Sequence, residues 1–223
     1  NYSKDSNSKG ELGYSRFDIP HRISLQASYT TPKYLNGWMS TTVGITYNAS
    51  PGGRYSLSYD DAKDFNGDGS RGTTLLYIPT DKELEDMNFV DNFDKQGNLI
   101  MSKEESREAF RQWILNEDYA KNHRGQFAER NSNLTKWEHE INLHVAQDIF
   151  YLKERGSKIQ VTFDVINFAN MLNKKWGANY YLPYNLTPVT VSGSTNADGI
   201  LVPEYTFKDQ SNVLTKNDIS SRW

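Results

Sequence analysis

The residues best suited to chemistry are oxygen donors crowded into one short segment. Asp64-Phe65-Asn66-Gly67-Asp68-Gly69 sets three of them at alternate positions before a glycine, the first half of a calcium loop. The last position of a full EF-hand loop carries a bidentate Glu, and here it is Leu75. Asp64, Asn66 and Asp68 are thus the candidate metal ligands, with calcium the candidate ion. The competing reading is a tight turn, since Asn, Asp and Gly tolerate positive φ. Gly67 to Gly72 also fits G-x-G-x-x-G, but strand-like Leu75-Leu76-Tyr77 follows where a dinucleotide site needs a helix.

Other constellations are weaker. His139 and His144 lie five positions apart on one strand pattern, so they face opposite sides and cannot share an ion. His21 and His123 belong to distant segments, and neither G-x-S-x-G nor H-E-x-x-H occurs. Carboxylates are plentiful, but nothing in the sequence sets two of them across a bond. No catalytic residue is assigned, and no enzyme activity is expected.

The elements that must carry these residues are mostly strands. Ile23, Leu25, Ala27 and Tyr29 alternate with Arg22, Ser24, Gln26 and Ser28. Met39, Thr41, Val43, Ile45 and Tyr47 repeat the pattern, as do Trp137 to Tyr151 and Ile159 to Val165. Successive strand side chains point to opposite faces, so each run has one apolar face. Lys153 to Ser157 reads as a short hairpin turn. Tyr55–Tyr59, Thr73–Ile78, 176–191 and 200–207 are further strand segments. Pro183, Pro188 and Pro203 predict that the last two are irregular or at sheet edges. One segment is helical: Ser102 and Glu105 form a capping box, and Ala109, Phe110, Trp113 and Ile114 recur at helical spacing. The predicted helix spans Lys103 to Ala120, and its stripe is expected to pack on its own loops. It lies in one long excursion, Asp60 to Lys136, between two strands.

The composition narrows the setting. The chain has 223 residues, no cysteine and 36% hydrophobic residues, yet 13% are aromatic. A net charge of -3 gives no electrostatic case for nucleic acid. No apolar run approaches the length of a transmembrane helix, and the first residues do not read as a secretory leader. A strand can still cross a membrane. Trp137 to Tyr151 covers roughly 46 Å at ~3.3 Å per residue. Tilted ~45°, it rises roughly 33 Å, close to a bilayer core with its interfaces. Its aromatic ends fit a barrel wall, while Gln147 is a polar residue on the apolar side. From pattern alone, an outer-membrane barrel and a soluble sandwich stand level.

A set of ordered motifs separates them. Arg16-Phe17-Asp18-Ile19-Pro20-His21-Arg22 leads into a strand, and Gly53-Arg54-Tyr55-Ser56-Leu57-Ser58-Tyr59 precedes the acidic segment. Leu75-Leu76-Tyr77-Ile78-Pro79 follows that segment, and Arg124 to Ser132 precedes the Trp137 strand. Phe163-Asp164-Val165-Ile166-Asn167-Phe168-Ala169-Asn170 then runs into Lys175-Trp176-Gly177. In this order the chain resembles the C-terminal barrel region of SusC/RagA-type TonB-dependent transporters of Bacteroidetes.

The resemblance implies an all-β fold, part of a large antiparallel transmembrane barrel in the cell outer membrane. Residues 1–223 would be its C-terminal segment, and 60–136 a long extracellular loop with a helix near 103–120. It implies a longer protein, with a plug domain before this segment and one more strand after it. Implied partners are a SusD-like lipoprotein lid, the TonB-ExbB-ExbD complex acting through the N-terminal region, and outer-membrane lipid. The implied function is import of glycans, oligosaccharides or peptides. Asp164 would face the lumen in a polar network. The alternatives are a soluble carbohydrate-binding sandwich and a secreted glycoside hydrolase.

Overall fold

A computed structural model describes residues 12–61, 64–65, 67, 69–152, 155–182, 185–195, 198, 201–210 and 215–217. The main elements are β1 (Ile23–Thr30), β2 (Met39–Pro51), β3 (Leu57–Asp61), α1 (Asp81–Asp86), α2 (Lys103–Asn116), β4 (Trp137–Leu152), β5 (Ser157–Val165), α3 (Phe168–Leu172), β6 (Leu186–Thr195) and β7 (Leu201–Phe207). The other described strands have two or three residues each. The fold is mostly strand with few helices, and the described strands do not close into a barrel. The described residues form two compact units. One falls within Asn1–Asp18, Gly53–Leu134 and Leu182–Leu214, the other within Ile19–Gly52, Thr135–Tyr181 and Thr215–Trp223.

In the second unit, the sheet unit, four antiparallel strands lie in the order β1-β2-β4-β5. The register sets most apolar positions of one strand beside apolar positions of the next, with Gln147 beside Val161 the main exception. Leu25 pairs with Tyr47 and Tyr47 with Ile141, while Tyr29, Val43, Val145 and Phe163 make one continuous row. A one-residue slip would turn each strand's apolar set to the other face, so the alternation itself specifies this pairing. The predicted hairpin joins β4 to β5, with Gly156 at φ 65° and a register shift between Phe150 and Leu152.

In the first unit, the insertion unit, β3 runs parallel to β6 and β6 antiparallel to β7. Leu57, Leu76, Ile78, Leu84, Phe110, Ile114 and Val189 form a core with at most 1% of each exposed. Residues read as a long loop therefore build a folded unit with its own interior. Helix α2 begins as predicted: the Ser102 hydroxyl accepts from the Glu105 N–H while the Glu105 carboxylate accepts from the Ser102 N–H. It ends at Asn116, earlier than predicted. Glu117 is extended, its carboxylate accepts from the Ala120 N–H, and a short 3-10 turn follows over Ala120–Asn122. Phe110 and Ile114 enter the core, and Trp113 stacks on Phe110 at 5.9 Å.

Two features depart from the sequence expectation. Thr80 and Glu83 form a second capping box that starts α1. Pro188 lies in β6, the central strand of its sheet, not at an edge. The pairing of β6 with β3 shifts between Leu186 and Val189, so the N–H that Pro188 lacks is not required there. Pro203 does lie on an edge strand, β7.

Candidate functional site

The feature of the sheet unit that asks for a function is its apolar face. Leu25, Tyr29, Val161 and Phe163 are 61, 66, 58 and 55% exposed, and Ile45, Ile149 and Ile159 are exposed beside them. The opposite face is a polar network. Ser24 Oγ donates to Asn48 Oδ1 (2.8 Å), and the Asp148 carboxylate accepts from Lys158 Nζ (2.6 Å) and Gln160 Nε2 (2.8 Å). His144 Nδ1 lies 2.6 Å from Asp164 Oδ1 on the same face. The usual arrangement of a half-buried sheet is thus inverted: among the described residues, the apolar side is exposed along most of its length.

Aromatic residues bound this face at both ends. Tyr47, Trp137 and Trp176 lie toward the end where β4 begins, and Tyr34, Trp38 and Tyr151 toward the end where it finishes. The first end is also covered by the stretch after β5. After β5, Asn167 adopts a left-handed conformation and donates its Nδ2–H to the Gly177 carbonyl (3.0 Å). A side chain at Gly177, at φ 61°, would collide with the Asn167 amide. This joint leaves Val165, Ala169 and Ala178 buried.

Gln147, the polar residue among apolar neighbours, is fully engaged within the sheet unit. Its Oε1 accepts from Tyr34 Oη (2.9 Å) and Thr41 Oγ1 (2.7 Å). Its Nε2 donates to the carbonyls of Ser40 and Asp148, both at 3.0 Å. A polar group with every partner satisfied internally loses little when water is removed. The sequence gives no sign of this knot, because Tyr34 lies outside the alternating runs.

The insertion unit holds a cavity of about 360 Å³ lined by Tyr59, Phe65, Tyr77, Phe127 and Tyr205, among others. Two of its hydroxyls donate to carboxylates. Tyr77 Oη donates to Glu83 Oε1 (2.7 Å), and Thr74 Oγ1 donates to Asp61 Oδ2 (2.7 Å). The Tyr77 hydroxyl is held above its ordinary pKa, first by that bond to Glu83. Burial raises the Tyr59 hydroxyl. Glu83 is held below the carboxylate range, first by the Thr80 N–H and then by Tyr77.

Of the candidate calcium ligands, Asp64 accepts from the Gly69 N–H through Oδ2 (2.8 Å), a bond that spans five residues and ties the loop together. Asn66 and Asp68 lie outside the described residues. Sequence reading passed over Asp61, whose buried carboxylate closes the same loop by accepting from the Gly72 N–H and from Thr74. Among the described residues no group of three or more His, Cys, Asp or Glu side chains could hold a metal ion. The histidines separate as their spacing requires. His139 Nδ1 meets Tyr47 Oη (2.8 Å) on the apolar face, and His144 meets Asp164 on the polar one. No described helix is long and apolar enough to cross a membrane, which leaves crossing by strands open. Comparison with protein-family models, curated proteins and solved structures finds no match to this chain.

Proposed function

We propose that this chain is part of the wall and outer surface of an outer-membrane TonB-dependent transporter of the SusC/RagA type. The observation that carries this reading is the in-register apolar face, exposed along its length and bounded by aromatic residues at both ends. Each large apolar side chain left in water forgoes about 1.5–3 kcal/mol of burial. A whole domain is stable by only about 5–15 kcal/mol. A sheet with this many exposed apolar side chains therefore needs a cover, and lipid supplies one without requiring a complementary partner surface. The polar opposite face, with Asp164, His144 and the Asp148–Lys158 pair, fits a barrel interior. Both edge strands, β1 and β5, would continue the wall by pairing with further strands of a longer protein.

The work of such a protein is uptake of a glycan, oligosaccharide or peptide beneath a SusD-like lid, driven by the TonB-ExbB-ExbD complex. No covalent chemistry is assigned to this segment. Its topology follows from the turns. Barrels of this kind have short periplasmic turns and long external loops. The turn after β4 is short, so β4 runs inward, and the insertion between Pro51 and Trp137 leaves and returns on the outer side. A tag placed at Gly97 in intact source cells should react with an impermeant reagent, and one at Gly156 should not. Reaction at Gly156 alone would reverse the placement.

A soluble sugar-binding module is the second reading, favoured by the aromatic cavity beside Tyr59 and Tyr205. Its Tyr77 and Thr74 hydroxyls already donate to carboxylates, which reduces what the cavity offers a sugar, whose own hydroxyls need partners. A monodisperse, detergent-free monomer of this chain with cooperative melting would overturn the barrel reading in its favour.

A further inference from the structure

We infer that the groove at the Trp137 end of the apolar face binds one anionic, phosphate-bearing lipid of the outer leaflet. The inference rests on the barrel reading above. The groove has a volume of about 330 Å³ and is lined by Tyr47, Trp137, His139, Ile141, Lys175 and Trp176, together with the small residues of the Asn167–Gly177 joint. It opens on the same face as the exposed rows of β2 and β4, so it continues the surface that would meet acyl chains.

The chemistry of the lining separates along its length. Ile141 and the ring faces offer only apolar contact. Tyr47 Oη and His139 Nδ1 bond one another at 2.8 Å, and their rings stack at 6.1 Å, so these two polar atoms are engaged within the wall of the groove. Trp137 stacks on His139 at 6.3 Å. Lys175 brings a cation to the lining, and no lining residue is acidic. Aromatic walls with one ammonium at the end of an apolar face suit methylenes below and a phosphate above.

The groove is held open by the backbone. The Trp176 N–H donates to the Asn173 carbonyl (2.8 Å), and Asn170 Nδ2 donates to the Trp176 carbonyl (2.9 Å). These bonds and the Asn167–Gly177 joint fix Trp176 beside Ile141 without occupying the space between them.

The test is native mass spectrometry of the full-length protein released from detergent and titrated with dilauroyl phosphatidylglycerol. Parallel arms use dilauroyl phosphatidylcholine and inorganic phosphate. One phosphatidylglycerol should be retained in preference to phosphatidylcholine. Lys175→Gln should weaken retention about fivefold, the effect of one basic residue on an anionic lipid. Trp176→Ala should abolish one-to-one retention, and Trp176→Phe should restore most of it. Lys33→Gln, at the other end of the sheet where the ammonium lies over the Phe150 ring, should change nothing. Heat-modifiable electrophoretic mobility checks that each variant has folded. Equal retention by wild type, Lys175→Gln and Trp176→Ala would overturn the lipid site, as would displacement of the lipid by inorganic phosphate. Recovery of the protein in the soluble fraction would instead overturn the barrel reading.

Discussion

Leu57 and Leu25 are the same residue type in strands of the same chain, yet Leu57 is 0% exposed and Leu25 61%. The difference lies in what crosses the sheet. In the insertion unit, Leu57 of β3 shares a buried core with Leu84 of α1 and with Phe110 and Ile114 of α2, so its apolar residues meet others. In the sheet unit, β1, β2, β4 and β5 align their apolar rows, and among the described residues the stretch after β5 covers one end of them. The insertion unit has the interior of a water-soluble protein. The sheet unit has one polar face and one apolar face that is largely exposed. An apolar strand residue therefore does not announce a core; it announces a face, and the neighbours decide which medium the face meets.

The sharpest way to break this comparison is truncation in each region. Phe110→Ala should cost the insertion unit about 3–5 kcal/mol, since a fully buried ring leaves a cavity. Phe163→Ala, at an exposed position, should cost far less in denaturant titrations of the same detergent-solubilised protein. Comparable losses at both sites would mean that the Phe163 face has a protein cover.

Charge gives the next largest effect and reports the medium directly. Val161→Arg and Phe163→Arg should each reduce folding into lipid vesicles by about 2–4 kcal/mol if they sit near the midplane, and Thr162→Arg by much less. In water, exposed positions of this kind change stability by about 0.5 kcal/mol at most. Equal yields for the three variants would remove the assignment of faces.

Smaller effects sharpen the local arguments. Ser102→Ala should cost α2 about 1 kcal/mol, visible as faster amide exchange over 103–116. Tyr34→Phe removes one of the two bonds accepted by Gln147 Oε1 and should cost about 0.5–1.5 kcal/mol in vesicle unfolding. Acid should loosen the helix starts. Glu83 and Glu105 are held below the ordinary carboxylate range, first by the backbone N–H groups of Thr80 and Ser102. A depressed carboxylate contributes fully above its unfolded pKa of about 4.3 and loses that contribution as pH falls through its folded value. Exchange at the first turns of α1 and α2 should therefore accelerate below about pH 4. Unchanged exchange there would show that the capping bonds contribute nothing to the helices.

Much of the sheet unit was legible because period-two alternation carries both strand and register. Trp137 to Tyr151 read as one strand and is one, within a residue of its end. The α2 cap was equally plain. The same signal at Thr80 and Glu83 was present and passed over, because α1 has only six residues and no second apolar turn. The insertion unit was not legible as a folded body. Its core joins Leu57, Phe110 and Val189 from three distant segments, and no local period records such contacts. Pro188 misled for a related reason: whether a missing N–H matters depends on a bulge set by β3, far away in sequence. Of the candidate site, the apolar positions were readable, but neither the internal satisfaction of Gln147 nor the fold-back that shapes the Trp176 groove was.

The pairing at the base of the insertion has a kinetic meaning. Pro51 pairs with Trp137 in the sheet unit, while Arg54 pairs with Leu134 in the insertion unit. An unstructured link of some eighty residues would cost roughly 2.5 kcal/mol more to close than a four-residue turn, at ~0.6 kcal/mol per doubling of length. Holding the two ends of the insertion side by side removes most of that difference, although the core that stabilises them is completed only when Val189 arrives from beyond β5. It then serves the sheet as a hairpin turn of large size between β2 and β4, one whose own stability depends on a strand made after β5. Variants that unsettle the insertion core should accordingly delay assembly of the sheet even where its final stability is unchanged.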